Sequence, residues 1–542
     1  MLPIEFIQRM KQQLPADEYD SFIQSFEYPC HKALRLNPLK TDATRFARDI
    51  NITDNELNAA RVDWEKFGYY YVNRVDDISS RDNHDAGTCK GSFSNYVNFN
   101  VDSVGKTALH AAGVFYVQEP SAMLPANMLN IPTDIKRPLR VLDLCAAPGG
   151  KSTQIAGMLR GEGVLVSNEI VPQRARILAE NIERMGVCNA IVISADPEDL
   201  KNKFAGFFDR ILVDAPCSGE GMFRRIPEAT DEWSPENVRM CANRQDGILD
   251  CAAQMLAYGG RIVYSTCTFS PDEDEDCMNR FLNRHPEFAV AEGPERIWPH
   301  KQRGEGHFSV AYELSLTSDS ASSDASVSGA SSSDASVSDA STSNIVQSSV
   351  SPKKKKKHPE WYGLFCDFAS AVLTDHARMK LWGAPEVEDY LLASDGIHPH
   401  LELFKDHLYL IPAYAPSLSG IKVMRAGLEL GEIKKERFEP AHALSHALSM
   451  EDVVSYIDLS ATGVMQSQYR SGLTLSIDLS GQSDSVVSDS SSEGDDSTET
   501  MEILSMSSIK GWCLICVNGY GLGWGKATGG TIKNHYPKIF RL

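Results

Sequence analysis

Two cysteines stand where a sulfur nucleophile would be useful. Cys217 lies in ILVDAPCSGEG (residues 211–221) and Cys267 in RIVYSTCTFS (residues 261–270). Each follows an apolar run of strand length, and Asp214 precedes the first by three residues. Two thiols and a carboxylate on one rim suit covalent chemistry on a pyrimidine. Carbon 5 of cytosine is a poor nucleophile, but a thiolate added at carbon 6 creates an enamine whose carbon 5 attacks a methyl sulfonium. One cysteine would make that addition. The other, directly or through water, would help remove the carbon-5 proton so that the first is expelled. Asp214 would hydrogen-bond N3 and the exocyclic amine. Zinc fits poorly, because neither cysteine belongs to a C-x-x-C pair. Cys513 and Cys516 do form one, within the apolar run WCLICV, and read as core. A disulfide switch suits a reducing compartment poorly. Burial alone would explain either strand-end cysteine taken singly.

Such residues need a scaffold that brings strand ends together. Between residues 111 and 314 apolar strand-length runs alternate with helical patterns, which predicts an α/β, doubly wound, Rossmann-like parallel sheet. RPLRVLDLC, GVLVSNE, NAIVISA, FDRILVDA and GGRIVYST read as strands. STQIAGMLR, PQRARILAENIERMG and SPENVRMCANRQDGILDCAAQMLAY read as the helices between them. In such sheets ligands sit beyond the carboxyl ends of the strands. The first strand runs into Cys145-Ala146-Ala147-Pro148-Gly149-Gly150-Lys151, whose small residues admit close backbone approach at a helix N-terminus. Glu169 ends the second strand, where an acid accepts the two ribose hydroxyls of a nucleoside. Asp196 closes the third, placed to meet an adenine edge. Each acid alone is equally explained as the cap of a turn; their common edge is not. The loop lacks the G-x-G-x-x-G of dinucleotide sites, so a single nucleoside fits better and points to S-adenosylmethionine as cofactor.

Composition frames the rest. A length of 542 residues predicts several domains. Twelve cysteines in that length, and a start (MLPIEFIQRMKQQLP) without a basic-then-apolar leader, predict reduced thiols and a cytoplasmic location. No stretch approaches the ~18 apolar residues of a membrane span. A net charge of −20 at first opposes a nucleic-acid partner, but eleven acids fall in two Ser-rich tracts that hold no base, residues 314–351 and 471–500. Residues 501–542 carry Lys510, Lys526, Lys533, Lys538 and Arg541 against Glu502 alone. The tracts are too poor in apolar residues to order themselves. The expected organisation is therefore an N-terminal region over 1–110 and a catalytic domain over 111–314. A disordered linker over 315–357 ends in the run Lys353–Lys357, a subdomain follows over 358–428, and a β module over 429–542 contains a loop insertion at about 480–500.

VLDLCAAPGGKSTQIA, DRILVDAPCSGEGMFRR and RIVYSTCTFSPDEDE together resemble the NOL1/NOP2/Sun (RsmB/NOP) family of RNA cytosine-5 methyltransferases. LRLNPLKT (residues 34–41) resembles the family's N-terminal RNA-binding segment, GVFYVQEPSAMLP the entry to its catalytic domain, and GEGHFSVAYEL that domain's final strand. The resemblance implies Cys267 as nucleophile and Cys217 as the cysteine that releases product. It also implies that Cys145 to Lys151, Glu169, Asp196 and Asp214 bind S-adenosylmethionine. DNA cytosine-5 methyltransferases take their nucleophile from a Pro-Cys motif, so Pro216-Cys217 competes for that role. GWCLICVNGYGLGWGKATGGTIKNHYPKIFRL is similar to the PUA-like RNA-binding domain of the family branch that acts on small-subunit rRNA. Trp524, Lys526, Lys533, His535, Tyr536 and Lys538 there mix base with aromatic, as stacking and phosphate contact require; Arg35, Asn37 and Lys40 carry the same expectation near the start. Trp512, Trp524 and Tyr536 read equally as core. The expected function is methylation of carbon 5 of a cytidine in 16S rRNA, by a monomer whose partner is RNA, with neither metal nor membrane. A tRNA cytosine-5 methyltransferase and a catalytically idle RNA-binding assembly factor are the alternatives.

Overall fold

The computed structural model describes residues 2–73, 95–99, 101–314, 358–387, 389–459, 463–476 and 510–542. The expected linker, lysine run and loop insertion lie outside the described residues. Among the described residues no helix is long and apolar enough to cross a membrane.

The centre is a Rossmann-like sheet of eight strands. They are β1 (Arg140–Asp143), β2 (Val164–Asn168), β3 (Ala190–Ile193), β4 (Phe208–Asp214), β5 (Leu256–Thr266), β6 (Phe288–Ile297), β7 (His307–Leu314) and β8 (Val423–Ala426). Their order across the sheet is β6-β7-β5-β4-β1-β2-β3-β8. β1 to β5 are mutually parallel, whereas β7, β6 and β8 join antiparallel. Helices cover both faces, so the parallel strands are apolar at successive positions and do not alternate. Val141, Leu165, Val192, Leu212 and Val263 fill one layer with Ile155 and Leu178 from helices Gly150–Leu159 and Pro172–Arg184. Leu142, Val166, Ile191, Ile211 and Ile262 fill the other with Leu249 and Met255 from helix Pro235–Met255. The chain runs outward from β1 to β3 and returns at β4, so a crevice opens above the carboxyl ends of β1 and β4. Register sets what meets there: Asp214 of β4 lies opposite Ser265 of β5, and Phe308 of β7 opposite Thr266.

Two expected boundaries move. Phe115–Gln118 pairs with Ala33–Leu36 in a four-stranded N-terminal sheet, so that unit extends past residue 110. The boundary at 428/429 falls inside one antiparallel sheet made of His400–Phe404, His407–Ile411, Leu428–Lys434 and Arg437–Pro440. The strand just before it, β8, has left that neighbourhood to extend the central sheet beside β3. Both shifts come from long-range strand pairing, which leaves no local mark in composition.

The two ends of the chain share one core. Leu34, Phe46, Tyr69 and Phe115 pack in the same buried cluster as Ile457, Cys513, Ile515 and Leu522 of the five-stranded C-terminal sheet. Cys513 and Cys516 are both buried in strand Gly511–Val517. Polar bonds close the same seam. Tyr520 Oη donates to Asp49 Oδ2 (2.7 Å) and accepts from Thr41 Oγ1 (2.8 Å). The Arg45 guanidinium lies 4.1 Å over the Tyr520 ring and donates to Asn518 O at 2.9 Å. Tyr520→Phe leaves Asp49 without this donor and Thr41 without this acceptor, and is expected to cost about 1–3 kcal/mol of stability in chemical denaturation. Hydrogen exchange should quicken in Ala33–Leu36 as well as in the C-terminal sheet; quickening confined to the latter would contradict a shared seam.

Candidate active site

The loop after β1 is shaped by a backbone that side chains tolerate poorly. Gly149, the N-cap of helix Gly150–Leu159, has φ +114°, and a Cβ there would come within 3.1 Å of Leu178 Cδ1. The helix is then tied down from the N-terminal sheet. Arg35 donates to Gly150 O (3.0 Å), Thr153 Oγ1 (2.8 Å) and Gln118 Oε1 (2.9 Å). Asn37 Nδ2 donates to Gly113 O and Met185 O, both at 2.8 Å. Lys40 Nζ donates to Ala112 O at 2.5 Å and Arg184 O at 3.3 Å. Arg35 and Asn37 are each 1% exposed. The expectation that Arg35, Asn37 and Lys40 contact RNA is therefore corrected: their donors face protein carbonyls and hydroxyls and join the N-terminal sheet to the central domain. Burial pushes the Lys40 amine well below its ordinary pKa, with Arg184 and Lys380 adding to the effect.

Above β1 to β4 opens a cavity of about 740 Å³. Cys145, Ala147, Glu169, Asp196, Asp214, Cys217 and Cys267 line it, so the nucleoside end and the two thiols belong to one continuous space. The remaining loop residues stand behind this wall: Ala146 packs into the core, Pro148 accepts from Asn181 at 2.9 Å, and Gly149, Gly150 and Lys151 open the helix. Glu169 is 3% exposed, with Oε1 receiving Val171 N–H at 2.9 Å and Oε2 lying 3.3 Å from Arg174. Asp196 caps helix Pro197–Lys201 by accepting from Glu198 N at 3.0 Å and also lines the cavity. Burial raises the Cys145 thiol, with the charges of Asp143, Asp214 and Glu169 adding to it. This donor set fits a nucleoside-bearing cofactor, with an acid for ribose, an apolar wall from Ile170, Val171 and Ile248, and room for an amino-acid tail.

At the other end, Cys217 Sγ and Cys267 Sγ are 3.4 Å apart, and both thiols are free. The hydrogen bond to Cys267 pushes the Cys217 pKa far up, and burial and the Glu273 charge push it further. Asp214 receives Lys151 Nζ at Oδ2 (2.8 Å) and Ser265 Oγ at Oδ1 (2.9 Å), with His307 Nε2 3.6 Å from Oδ1. Burial alone would raise Asp214, but Lys151 and His307 outweigh it and hold the carboxyl well below the usual range. His307 is itself pushed down by burial and by Lys151.

Lys151 as the partner of Asp214, Ser265 and His307 are contributions that motif reading missed. His307 opens β7, and only the antiparallel pairing of β7 with β5 carries it to this rim. The acids of SPDEDE were missed as well. Glu273 and Asp274 are both fully buried, Asp274 receiving Thr266 Oγ1 at 2.6 Å and pairing with Arg296 at 2.7 Å. Burial raises Asp274 to about 8. The N-terminal helices cover the segment after Cys267: Phe6, Met10 and Phe22 pack with Phe223, Trp233 and Phe269, while Arg9 pairs with buried Glu220 at 2.6 Å.

At the C-terminal end Lys526 Nζ lies 5.3 Å over the Trp512 ring and His535 packs edge-on to it at 4.6 Å. Lys533 and Lys538 are exposed. Of the two readings open for Trp524 and Tyr536, stacking on bases or core, the core one holds for both, Trp524 Nε1 donating to Ala441 O at 2.9 Å.

The Asp214 geometry has a measurable consequence. A carboxyl with a depressed folded-state pKa stabilises the fold above its ordinary value of about 4 and loses that contribution as pH falls below it. Asp214→Asn strands the nearly buried Lys151 amine and is expected to cost about 1–3 kcal/mol at pH 7, discounted because Asp214 is 30% exposed. Denaturation followed from pH 7 to 3 should show the wild type converging on the variant as the pH falls; a constant gap would contradict the depressed pKa.

Four family models match the chain in sequence: the N-terminal domain of 16S rRNA methyltransferase RsmF over residues 2–89, 16S rRNA methyltransferase RsmB/F over 132–313, the RsmF rRNA methyltransferase first C-terminal domain over 388–448, and the methyltransferase RsmF PUA domain over 499–542. Ribosomal RNA small subunit methyltransferase F of Serratia proteamaculans is 35% identical over 282 residues, 52% of this chain and 53% of that protein. Its counterpart in Erwinia tasmaniensis is 33% identical over 323 residues, 56% and 62% respectively. The chain thus spans little more than half the length of the curated relatives it matches. A solved structure described as NSun6 from Pyrococcus horikoshii with SFG superposes with TM-score 0.47 at 21% identity, covering 58% of this chain and 98% of that one. Over residues 2–89, 132–313, 388–448 and 499–542 the chain is thus similar to the RsmB/F methyltransferase family and to the N-terminal, first C-terminal and PUA domains of its RsmF form.

Proposed function

We propose that this protein is an S-adenosylmethionine-dependent methyltransferase that forms 5-methylcytidine in 16S rRNA, in the cytoplasm, through a covalent adduct between Cys267 and carbon 6 of the base. The observation that carries the reading is the 3.4 Å pair of thiols in the same cavity as Glu169, beside a carboxylate held charged by Lys151. Bound S-adenosylmethionine, held by Glu169, Asp196 and the Cys145–Lys151 loop, supplies an electrophilic methyl group to carbon 5. The target cytidine must leave any stack to reach this depth.

The protonation states divide the labour. Asp214, kept as a carboxylate by Lys151, accepts from the exocyclic amine of cytosine. The neighbouring Cys267 sulfur and burial raise Cys217, which favours Cys267 as the attacking group. Once Cys267 has attacked as the thiolate, its sulfur is bonded to carbon 6 and no longer opposes ionisation of Cys217. Cys217 can then lose its proton to solvent and, directly or through water, accept the proton from carbon 5, after which the bond to Cys267 breaks and free enzyme returns. The half-buried Trp512 with Lys526 and His535, and exposed Lys533 and Lys538, form the C-terminal surface we assign to RNA.

Cys267→Ala should abolish methyl transfer, while Cys217→Ala should trap RNA on the enzyme as a protease-sensitive band on a denaturing gel. Trapping by the first and not the second would reverse the two roles. Glu169→Ala should weaken S-adenosylmethionine binding roughly tenfold in equilibrium dialysis. Bisulfite sequencing of cellular RNA with and without the gene should show one small-subunit rRNA cytidine losing its protection; loss at a tRNA position instead would overturn the substrate.

A further inference from the structure

Cys217 lies on a turn that leaves β4, and nothing in the strand itself fixes where its sulfur points. What fixes it is a buried polar bracket centred on Glu273. Gln245, from helix Pro235–Met255, donates through Nε2 to Pro216 O at 3.0 Å and to Glu273 Oε2 at 2.9 Å. Ser218 N–H donates to the same Oε2 at 2.9 Å, and Ser218 Oγ donates to Oε1. The residues on either side of Cys217 are thereby tied to one carboxyl group. That group is anchored in turn to the strand bearing the partner thiol: Tyr264 Oη of β5 donates to Glu273 O at 2.5 Å, and Ser218 Oγ meets Thr268 Oγ1 at 2.9 Å, one residue past Cys267. Glu273, Ser218, Gln245 and Thr268 are all buried, with Glu273 and Gln245 at 0% exposure. The side chain receives three of these bonds and the backbone carbonyl of Glu273 the one from Tyr264; a buried carboxyl is costly unless each donor is in place, so the arrangement tolerates little displacement.

We propose that Glu273 is the positioning residue that keeps Cys217 within proton-transfer reach of the adduct formed at Cys267. The inference rests on the roles given above to the two cysteines. Glu273 touches neither reacting sulfur nor base. It acts through Ser218 and Gln245 on the placing of Cys217, whereas Cys267 has supports of its own: Thr266 bonds Asp274 (2.6 Å), and Gly221 N–H donates to Cys267 O (2.9 Å). Loss of the bracket therefore separates the two halves of the reaction: attack by Cys267 persists, while release, which needs Cys217 in register, fails.

The isosteric change Glu273→Gln replaces one acceptor oxygen by an NH₂ group and sets donor against donor at Ser218 or Gln245. With the full-length protein, S-adenosylmethionine and the rRNA substrate, this variant should form adduct at nearly the wild-type rate in a single turnover. It should resolve that adduct roughly 10- to 100-fold more slowly, since a misplacement of about 1 Å at a reacting group has that size of effect. The trapped band would resemble that of Cys217→Ala, and the double variant should trap no more than Cys217→Ala alone. Ser218→Ala, which keeps the backbone N–H but loses the Oγ link, should trap partially and serves if Glu273→Gln does not fold. Turnover without adduct in both variants, or parallel loss of adduct formation and release, would overturn the inference by making Glu273 merely structural. If Cys217→Ala traps nothing either, the assignment of Cys217 fails and the inference falls with it; trapping by Cys217→Ala alone refutes the inference and leaves that assignment intact.

Discussion

One carboxylate at the switch point of the sheet must remain ionised in a largely enclosed place, and much of the surrounding architecture serves that need. Asp214 arrives on β4, Lys151 on the helix that follows β1, Ser265 on β5 and His307 on β7. Four separate elements thus converge on two oxygens. The ammonium at 2.8 Å supplies the main compensation for desolvating the charge, and the hydroxyl occupies a further lone pair. Lys151 can do this only because its helix begins at a left-handed glycine and is clamped by Arg35 from the N-terminal sheet. A contact made outside the catalytic domain therefore sets the position of a charge inside it.

The thiol pair is held under a similar rule, with uncharged donors in place of a cation. Two sulfurs at 3.4 Å cannot both ionise without strong repulsion, so at least one of the pair keeps its proton. The neighbouring sulfur, burial and Glu273 all raise Cys217. The supports on the two sides are different groups: Asp274 and Gly221 for the Cys267 segment, Glu273 and Gln245 for the Cys217 segment. The two sets are joined at Ser218 and Thr268, whose hydroxyls lie 2.9 Å apart.

The parallel strands, their helices and the cysteine–carboxylate constellation were readable from sequence because buried parallel strands are written as uninterrupted apolar runs, and those runs end at the functional residues. Other features left no such mark. Arg35 and Lys40 look identical in sequence whether they clamp a helix or hold a phosphate; only burial tells the two apart. Glu273 and Asp274 sit in a run of acids that by composition belongs on a solvated face, yet both are enclosed by residues brought from distant strands and helices. His307 is a single histidine at a strand start, and its nearness to Asp214 depends on which edge β7 takes. The two displaced boundaries have the same origin, since β8 and Phe115–Gln118 find their partners far away along the chain.

The shared core of the two chain ends has a consequence for how the protein is made. Leu34, Phe46 and Phe115 reach their final neighbours Ile457, Ile515 and Leu522 only after more than 300 intervening residues have been synthesised. During elongation the N-terminal sheet is therefore an open sandwich with one apolar face turned to solvent, while the central sheet, which needs only β8 to finish its edge, can already be largely closed. Contacts of such high order form late and expose the chain to aggregation while they are missing. Until Ile457, Ile515 and Leu522 arrive, the apolar face they cover stays exposed, and their packing is what closes it.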